Sequence, residues 1–166
     1  TTRPLKDSVR ESIFNILKHS NLIKLSVENS NILDLYSGTG SFGIECISRG
    51  ANKVKFIEQD LNVSAILKEN LNKLSIESKS EVFNKKIESF LKENIISKFH
   101  IFFFDPPFVD LDFVKNIELI KKKKIFNTNH VVIIHRDKNT EENLEKFLKI
   151  ILTKQYGRSK IIFGEF

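Results

Sequence analysis

The stretch Asp34-Leu-Tyr-Ser-Gly-Thr-Gly-Ser-Phe-Gly43 connects an apolar run to a helical pattern. The apolar run, residues 31–36, predicts a strand, and residues 41–49 predict a helix. A strand, a glycine turn and a helix in this order form the nucleotide cradle of α/β proteins, where the helix N-terminus faces the ligand. The spacing Gly38-x-Gly40-x-x-Gly43 fits the dinucleotide fingerprint. Because glycines also occur in ordinary turns, the rest of the chain must identify the ligand.

Length and composition predict one globular domain over residues 1–166. The chain is 40% hydrophobic and 29% charged, as soluble proteins usually are. No apolar run reaches the roughly 20 residues that a membrane span needs. The single Cys46 excludes an internal disulfide and is typical of the reducing cytoplasm, where we expect this protein. Cys46 and the four histidines do not have the spacing of metal ligands, so we expect no metal site.

The charge of the chain favours a polyanionic partner. The formal net charge is +6, and the isoelectric point is near 9.3. A basic protein attracts nucleic acids over its whole surface. A lysine-rich composition spread along the entire sequence is an equally simple explanation, so charge alone does not decide between the two.

Predicted strands and helices alternate along the chain. The motif Ser8-Val-Arg-Glu11 has the form of a capping box and predicts a helix to about Lys18. The alternation predicts an α/β fold with right-handed crossovers: a doubly wound, mostly parallel Rossmann-like sheet of about seven strands with helices on both faces. Beyond the glycine turn, we predict strands at 53–57, 81–84, 99–104 and 131–134, helices at 61–74, 87–96, 111–122 and 140–149, and a closing hairpin at 150–156 and 160–163.

Three features directly follow predicted strands and should meet at one edge of the sheet. They are the glycine turn, Glu58 after the second strand, and Asp105-Pro-Pro-Phe108 after the fourth. Ligands of such sheets bind at the carboxyl ends of the strands, where the strand order reverses. Glu58 also lies 20 residues after Gly38, the position expected for an acid that binds a ribose.

The proline pair makes the third feature rigid. Neither proline has an N–H group to continue a strand ladder. The Asp105 carboxylate and the Pro106 carbonyl therefore become fixed hydrogen-bond acceptors, and Phe108 could supply a flat face. Such a site suits a planar substrate that carries an amino group. The structural alternative is a rigid exit from the strand, with Phe108 packed into the core.

Motifs along nearly the whole chain resemble one family. The chain resembles the bacterial RsmD-type 16S rRNA guanine-N2 methyltransferases, a family of class I S-adenosylmethionine-dependent enzymes. The resemblance implies methyl transfer to the exocyclic N2 of a guanine in small-subunit ribosomal RNA. The matching segments are Arg3-Pro4, Val9-Arg-Glu-Ser-Ile-Phe-Asn15, the stretch from Asp34 to Gly43, Ser48-Arg-Gly-Ala51, Phe56-Ile-Glu58, Asn70, Asp105-Pro-Pro-Phe108 and Tyr156-Gly157.

The resemblance implies roles for residues around the methyl donor. Asp34 and the backbone of the glycine turn would hold the methionine end, and Glu58 would accept both ribose hydroxyls. Adenine would lie near Gln59 and residues 85–87. Relatives often have an acidic or amide side chain at the position of Lys86, which cannot accept a hydrogen bond from the adenine amine. The complete set implied for the cofactor is Asp34, Tyr36, Ser37, Gly38, Thr39, Gly40, Glu58, Gln59, Lys86 and Ile87.

The resemblance also implies roles in binding the substrate. Asp105 and the Pro106 carbonyl would hold the two hydrogens of the guanine amine, Pro107 would complete the rigid loop, and Phe108 would stack on the base. The partner would be small-subunit ribosomal RNA or its assembly particle, bound by a monomer. Candidates for phosphate contacts are Arg3, Lys6, Arg10 and Arg158. For Arg10, a solvated face or a salt bridge within the helix is the alternative.

Two departures from the family and three rival functions remain at this point. Members usually have a basic segment before Arg3-Pro4, whereas this sequence begins at Thr1. His135 occupies a position where relatives often have a glutamate. The Asp-Pro-Pro-Phe site could instead methylate an adenine N6 or another amino group in nucleic acid. The fold could also serve an NAD-dependent dehydrogenase or a non-catalytic RNA-binding module in ribosome assembly.

Overall fold

A computed structural model describes residues 5–166, which form a seven-stranded sheet with helices on both faces. The strand order is β3-β2-β1-β4-β5-β7-β6. The sheet is parallel from β3 to β5, and β7 runs antiparallel to both of its neighbours. The predicted fold class is confirmed. The strands are β1 Asn31–Leu35, β2 Lys53–Ile57, β3 Ser80–Phe83, β4 Phe99–Phe104, β5 Phe126–Asp137, β6 Lys149–Tyr156 and β7 Ser159–Glu165. The helices are α1 Asp7–His19, α2 Ser41–Ser48, α3 Leu61–Lys73, α4 Ile87–Leu91 and α5 Phe113–Lys123, with a 3-10 turn at Glu77–Lys79.

Strand β4 forms the centre of the sheet and contributes to the core on both faces. Phe103 points to one face, where its ring stacks on Phe42 of α2 at 4.0 Å between centroids. Phe102 and Phe104 point to the other face, where they are buried with residues of α4 and α5. A continuous apolar run is the sequence pattern expected of a parallel strand that is covered on both sides.

The order of the strands reverses beside β1. From β1 the chain continues to β2 and β3 on one side, and β4 pairs with β1 on the other side. The carboxyl ends of β1, β2 and β4 therefore meet at the switch point of the sheet, where α/β proteins bind their ligands. Within residues 5–166, no helix has the length and apolar character needed to cross a membrane.

The helix predicted for residues 140–149 is wrong. These residues form turns, with the Leu148 N–H donating to the Leu144 carbonyl, and β6 already begins at Lys149. The leucine spacing imitates a helix because both side chains are buried. The segment before Leu144 instead turns Glu142 inward, where its carboxylate pairs with Arg136 of β5 and Lys160 of β7. Tertiary ion pairing thus overrides the local helical pattern.

Several other boundaries differ from the sequence-based prediction. Helix α1 begins at Asp7, after Lys6, and no side chain caps it. Ser8 therefore lies within the helix rather than forming a capping box, and its carbonyl accepts a hydrogen bond from Ser12. Helix α4 ends at Leu91 instead of continuing to residue 96. Strand β5 extends beyond residues 131–134 at both ends, since Phe126 pairs with β4 and Asp137 pairs with β7.

Candidate active site

Asp34 is a buried carboxylate with one unused oxygen. The Gly43 N–H donates to its Oδ2 at 3.1 Å, while Oδ1 is buried and has no hydrogen-bond partner among the residues described. Burial raises the pKa of Asp34 well above its usual value, and the Gly43 hydrogen bond opposes this only in part. The nearby Asp105 and Glu58 carboxylates raise the pKa further. An approaching cation would satisfy the free oxygen and favour the charged form.

The glycine loop, residues 36–40, is fixed to its neighbours by hydrogen bonds. The backbone N–H and the hydroxyl of Ser37 both donate to the Ile57 carbonyl, at 3.0 and 3.1 Å. Asn70 of α3 donates to the Thr39 carbonyl at 3.1 Å. Tyr36 has a φ of 58°, which is unusual for a residue other than glycine, and its hydroxyl accepts from Asn116 at 3.1 Å. The loop is therefore shaped before any ligand arrives.

Glu58 is held with its carboxylate at the switch point. The Gly38 N–H donates to Oε1 at 3.1 Å, and the Asp60 N–H donates to Oε2 at 2.9 Å. Asn84 fixes the backbone by donating to the carbonyls of Glu58 and Gln59 at 2.9 and 3.2 Å. Because a carboxylate has about four acceptor positions, each oxygen can still accept from one of two neighbouring hydroxyls.

A cavity of about 140 Å³ joins the predicted cofactor site to the Asp-Pro-Pro-Phe loop. Lys86, an exposed residue at the N-terminus of α4, does not line this cavity. Glu88 lines it instead, and its carboxylate provides an acceptor that the sequence analysis did not predict. The lining residues are Tyr36, Ile57, Glu58, Gln59, Lys85, Ile87, Glu88, Asp105, Pro107 and Asp110.

The acceptor loop, residues 105–108, begins with a carboxylate that is already hydrogen-bonded. Asp105 Oδ1 lies 2.7 Å from His135 Nδ1, and His135 Nε2 lies 2.9 Å from the Ser159 hydroxyl. The Phe108 ring is half-buried and meets the imidazole edge to face, with 5.6 Å between centroids. Phe108 is thus neither fully packed inside nor fully exposed, an outcome between the two expectations from the sequence.

Arg136 holds the acceptor loop from beneath. Its side chain is fully buried, and it donates to the carbonyls of Pro107 and Phe108 at 3.2 and 2.9 Å. Its Nε donates to Glu142 at 3.0 Å, and Lys160 donates to the second oxygen of that carboxylate at 3.0 Å. Burial opposes ionisation of Glu142, but hydrogen bonds from Thr140, Lys160 and Arg136 outweigh it and lower its pKa.

The sequence analysis assigned no function to His135, Arg136 or Glu142. A signal was present in the sequence: a histidine and an arginine directly follow the apolar run Val131-Val-Ile-Ile134. A charged residue at the end of a buried strand needs a partner, since an unpaired buried charge is costly. That partner is 6 residues further along the chain, in the segment that was mistaken for a helix.

Three of the four predicted phosphate contacts lie on described parts of the chain. Lys6 is exposed beside α1, and Arg158 is exposed in the turn between β6 and β7. The Arg10 side chain is 27% exposed and forms an ion pair with Asp7 at 3.2 Å, as the structural alternative anticipated. Arg3 lies outside the described residues. Within residues 5–166, no group of three or more His, Cys, Asp or Glu side chains could hold a metal ion.

The strand order, the glycine loop and the acceptor loop define the class of this protein as a methyltransferase with a Rossmann-like sheet. Residues 1–165 match the family described as Conserved hypothetical protein 95, and the chain belongs to that family. Its similarity to RsmD-type proteins, inferred above from motifs, is thereby confirmed.

Several relatives have names that state an activity. Ribosomal RNA small subunit methyltransferase D of Haemophilus influenzae is 34% identical over 82% of this chain and 69% of its own length. The protein of the same name from Buchnera aphidicola subsp. Baizongia pistaciae is 30% identical over 98% of this chain and 79% of its own. Among solved structures, an Escherichia coli protein assigned as a methyltransferase has a TM-score of 0.84 and 26% identity, covering 98% of this chain and 87% of its own.

Proposed function

We propose that residues 1–166 act as one catalytic domain that transfers a methyl group from S-adenosylmethionine to the exocyclic N2 of a guanine in small-subunit ribosomal RNA. The observation that carries this proposal is the shared cavity, which Glu58 and Asp105 both line. A ribose-binding carboxylate and an amine-binding carboxylate thus face one space. The names of the relatives support ribosomal RNA as the substrate class.

The side chains of the site fit S-adenosylmethionine. The unpartnered Oδ1 of Asp34 suits the ammonium of the methionine end, and Glu58 suits the two ribose hydroxyls. When bound, the cofactor supplies a methyl group made electrophilic by its sulfonium. Gln59, Ile87 and Glu88 line the adjoining part of the cavity. Glu88 can accept a hydrogen bond from the adenine amine, which Lys86 cannot do.

The acceptor loop suits an amine attached to a flat ring. The lone pair of the guanine amine is delocalised into the ring, so it needs help to reach the methyl carbon. Asp105 and the Pro106 carbonyl accept the two amine hydrogens and thereby direct the lone pair. Asp105 then takes the proton that the nitrogen loses once it has formed the new bond. Holding the reactants in this geometry can supply roughly 7–11 kcal/mol.

The ribosomal RNA must present an unstacked guanine, because a stacked base cannot enter the cavity. Lys6 and Arg158 are exposed and free to contact phosphates around that base. Arg10 would have to leave its ion pair with the exposed Asp7 to do the same, and such surface pairs contribute little. Arg3 is proposed from the family resemblance alone.

Methyl transfer to defined RNA tests the proposal. Small-subunit particles and naked 16S ribosomal RNA from cells lacking guanine-N2 methylation would be incubated with the protein and labelled S-adenosylmethionine. Nucleoside analysis by mass spectrometry should find N2-methylguanosine at one position. Methylated adenine instead would favour the adenine-N6 alternative. Tight binding of RNA without any transfer would favour the assembly module, and binding of NADH would revive the dehydrogenase.

A further inference from the structure

The end of β5 contacts the acceptor loop through two consecutive side chains. Successive residues of a strand point to opposite faces of the sheet. Arg136 reaches the loop backbone, whereas His135 reaches both of its functional side chains, Asp105 and Phe108. The imidazole is only 8% exposed, so its orientation is determined by these neighbours and by Ser159.

The two hydrogen bonds of His135 determine where its proton lies. At 2.7 Å, a proton must lie between Nδ1 and Asp105 Oδ1. With Asp105 ionised, that proton belongs to Nδ1, and a neutral imidazole then has a bare Nε2. The Ser159 hydroxyl, 2.9 Å away, can donate to this nitrogen and so select the tautomer.

We propose that His135 is a positioning residue for the acceptor carboxylate. Its Nδ1–H occupies Oδ1 of Asp105, fixes the orientation of the carboxylate and leaves Oδ2 for the substrate amine. Ser159 supports this role by fixing the tautomer of the imidazole. The proposal rests on the proposed function, since it assigns the free oxygen to the amine that is methylated.

The three groups have the order found in a Ser-His-Asp triad, but the carboxylate, and not the serine, is the group that faces the cavity. Asp105 lines the cavity, while His135 and Ser159 lie behind it. The group presented to a substrate is therefore the carboxylate and not the serine hydroxyl. Hydrogen bonds to charged groups contribute more than those between neutral partners. Loss of the Nδ1 donor should therefore impair the way Asp105 Oδ2 holds the substrate amine.

This geometry would serve the transfer of a methyl group to the guanine amine. The guanine N2 lone pair forms the bond to the methyl carbon, and the electrons of the breaking carbon–sulfur bond remain on sulfur. The nitrogen then carries a positive charge and loses one proton to Asp105 Oδ2. Solvent removes that proton after the product leaves. His135 keeps its own proton throughout.

Replacing the imidazole with two matched side chains tests the proposal. In His135→Asn, the amide nitrogen can occupy the position of Nδ1 and still donate to Asp105. In His135→Leu, a side chain of similar size has no donor. Each variant would be assayed for kcat and KM with undermethylated small-subunit particles, for binding of S-adenosylhomocysteine by calorimetry, and for its melting temperature.

We expect His135→Leu to lower kcat about 10- to 100-fold, the effect of one lost hydrogen bond to a charged group. The KM for RNA and the affinity for S-adenosylhomocysteine should stay near those of the wild type. His135→Asn should recover most of kcat. Equal losses in both variants, or a loss confined to KM, would overturn the positioning role.

A third variant covers the case in which His135→Leu does not fold. Ser159→Ala removes the group that selects the tautomer and should lower kcat less than His135→Leu, with unchanged affinity for S-adenosylhomocysteine. If His135→Leu does not fold, full activity of Ser159→Ala would by itself refute the inference while leaving the proposed function intact. Absence of guanine-N2 methylation by the wild type would refute the proposed function itself.

Discussion

At the scale of single residues, Asp34 shows a conflict between stability and ligand binding. A buried carboxylate with one oxygen unpaired is unfavourable in the free protein. The same oxygen is the group that suits a cationic ligand. Sites of this kind commonly reduce stability for the sake of function. Burial raises the pKa of Asp34 because the charged carboxylate is unfavourable there. The direction of this shift predicts how stability depends on pH.

Asp34→Asn should stabilise the free protein at neutral pH while weakening the binding of S-adenosylhomocysteine. Because the folded pKa of Asp34 is raised above 3.8, wild-type stability declines as pH rises through that folded value. The melting advantage of the variant should therefore be largest at neutral pH and shrink as the solution is acidified. Thermal unfolding across pH and calorimetry at pH 7 measure both effects. A variant that melts lower at every pH would contradict this.

Asp105→Ala should lower methyl transfer about 100-fold or more, the usual scale for losing a group that manages a proton in the reaction. Binding of S-adenosylhomocysteine should be nearly unchanged, because Asp105 acts on the acceptor. Asp105→Asn, which has almost the same shape without the charge, is the matched control and should be similarly impaired. Loss of cofactor affinity in either variant would remove Asp105 from the assigned role.

At the scale of elements, the first and last glycines of the fingerprint serve different purposes. A β-carbon on Gly43 would lie 2.3 Å from the Phe56 ring, so this glycine allows α2 to pack on β2. A β-carbon on Gly38 would meet nothing within 4 Å, but the residue has a φ of 57°. Glycine is therefore favoured at position 38 by the backbone conformation and at position 43 by close packing.

Gly43→Ala should cost about 1–3 kcal/mol of folding stability, because the added methyl overpacks a rigid helix–strand contact. Gly38→Ala should cost less, about 1 kcal/mol, for holding alanine in the left-handed conformation. Denaturant unfolding of the two variants side by side measures the difference. Equal losses would show that α2 can shift to accommodate the methyl group.

The sequence predicts some elements more accurately than others, for physical reasons. Strands β2 and β4 were predicted to the residue, because each is a short segment of strand-forming residues with polar residues at both ends. The segment 140–149 was not, because contacts with Arg136 and Lys160 decide its shape. The contacts of His135 were equally invisible, since they join residues 30 and 24 positions away. Motifs formed by residues close in sequence can therefore be predicted from the sequence. Contacts made by residues on distant strands cannot.

At the scale of the whole molecule, the excess of positive charge matters only where it faces the substrate. The turn containing Arg158 lies at the same edge of the sheet as the acceptor loop, since β6 and β7 meet there beside the end of β5. Lys122, in the last turn of α5, precedes β5 and lies toward the opposite edge. The two exposed cations contribute equally to the net charge but differ in position.

Arg158→Glu should raise the KM for RNA and reduce the salt dependence of binding by about one released counterion. Lys122→Glu makes the same change in net charge and should have a much smaller effect. Binding of undermethylated small-subunit particles would be titrated at several salt concentrations for both variants. Equal effects would mean that overall charge, rather than a defined phosphate contact, attracts the RNA.

The position of β7 affects how the protein is made. Although β7 follows β6 in sequence, it lies between β5 and β6 in the sheet. While residues 159–165 are still inside the translating ribosome, one edge of β5 has no partner, and an open strand edge invites pairing with other chains. Ser159 emerges with that strand and completes the support of Asp105. A nascent chain therefore gains the pairing partner of β5 and the support of Asp105 together, once residues 159–165 have emerged.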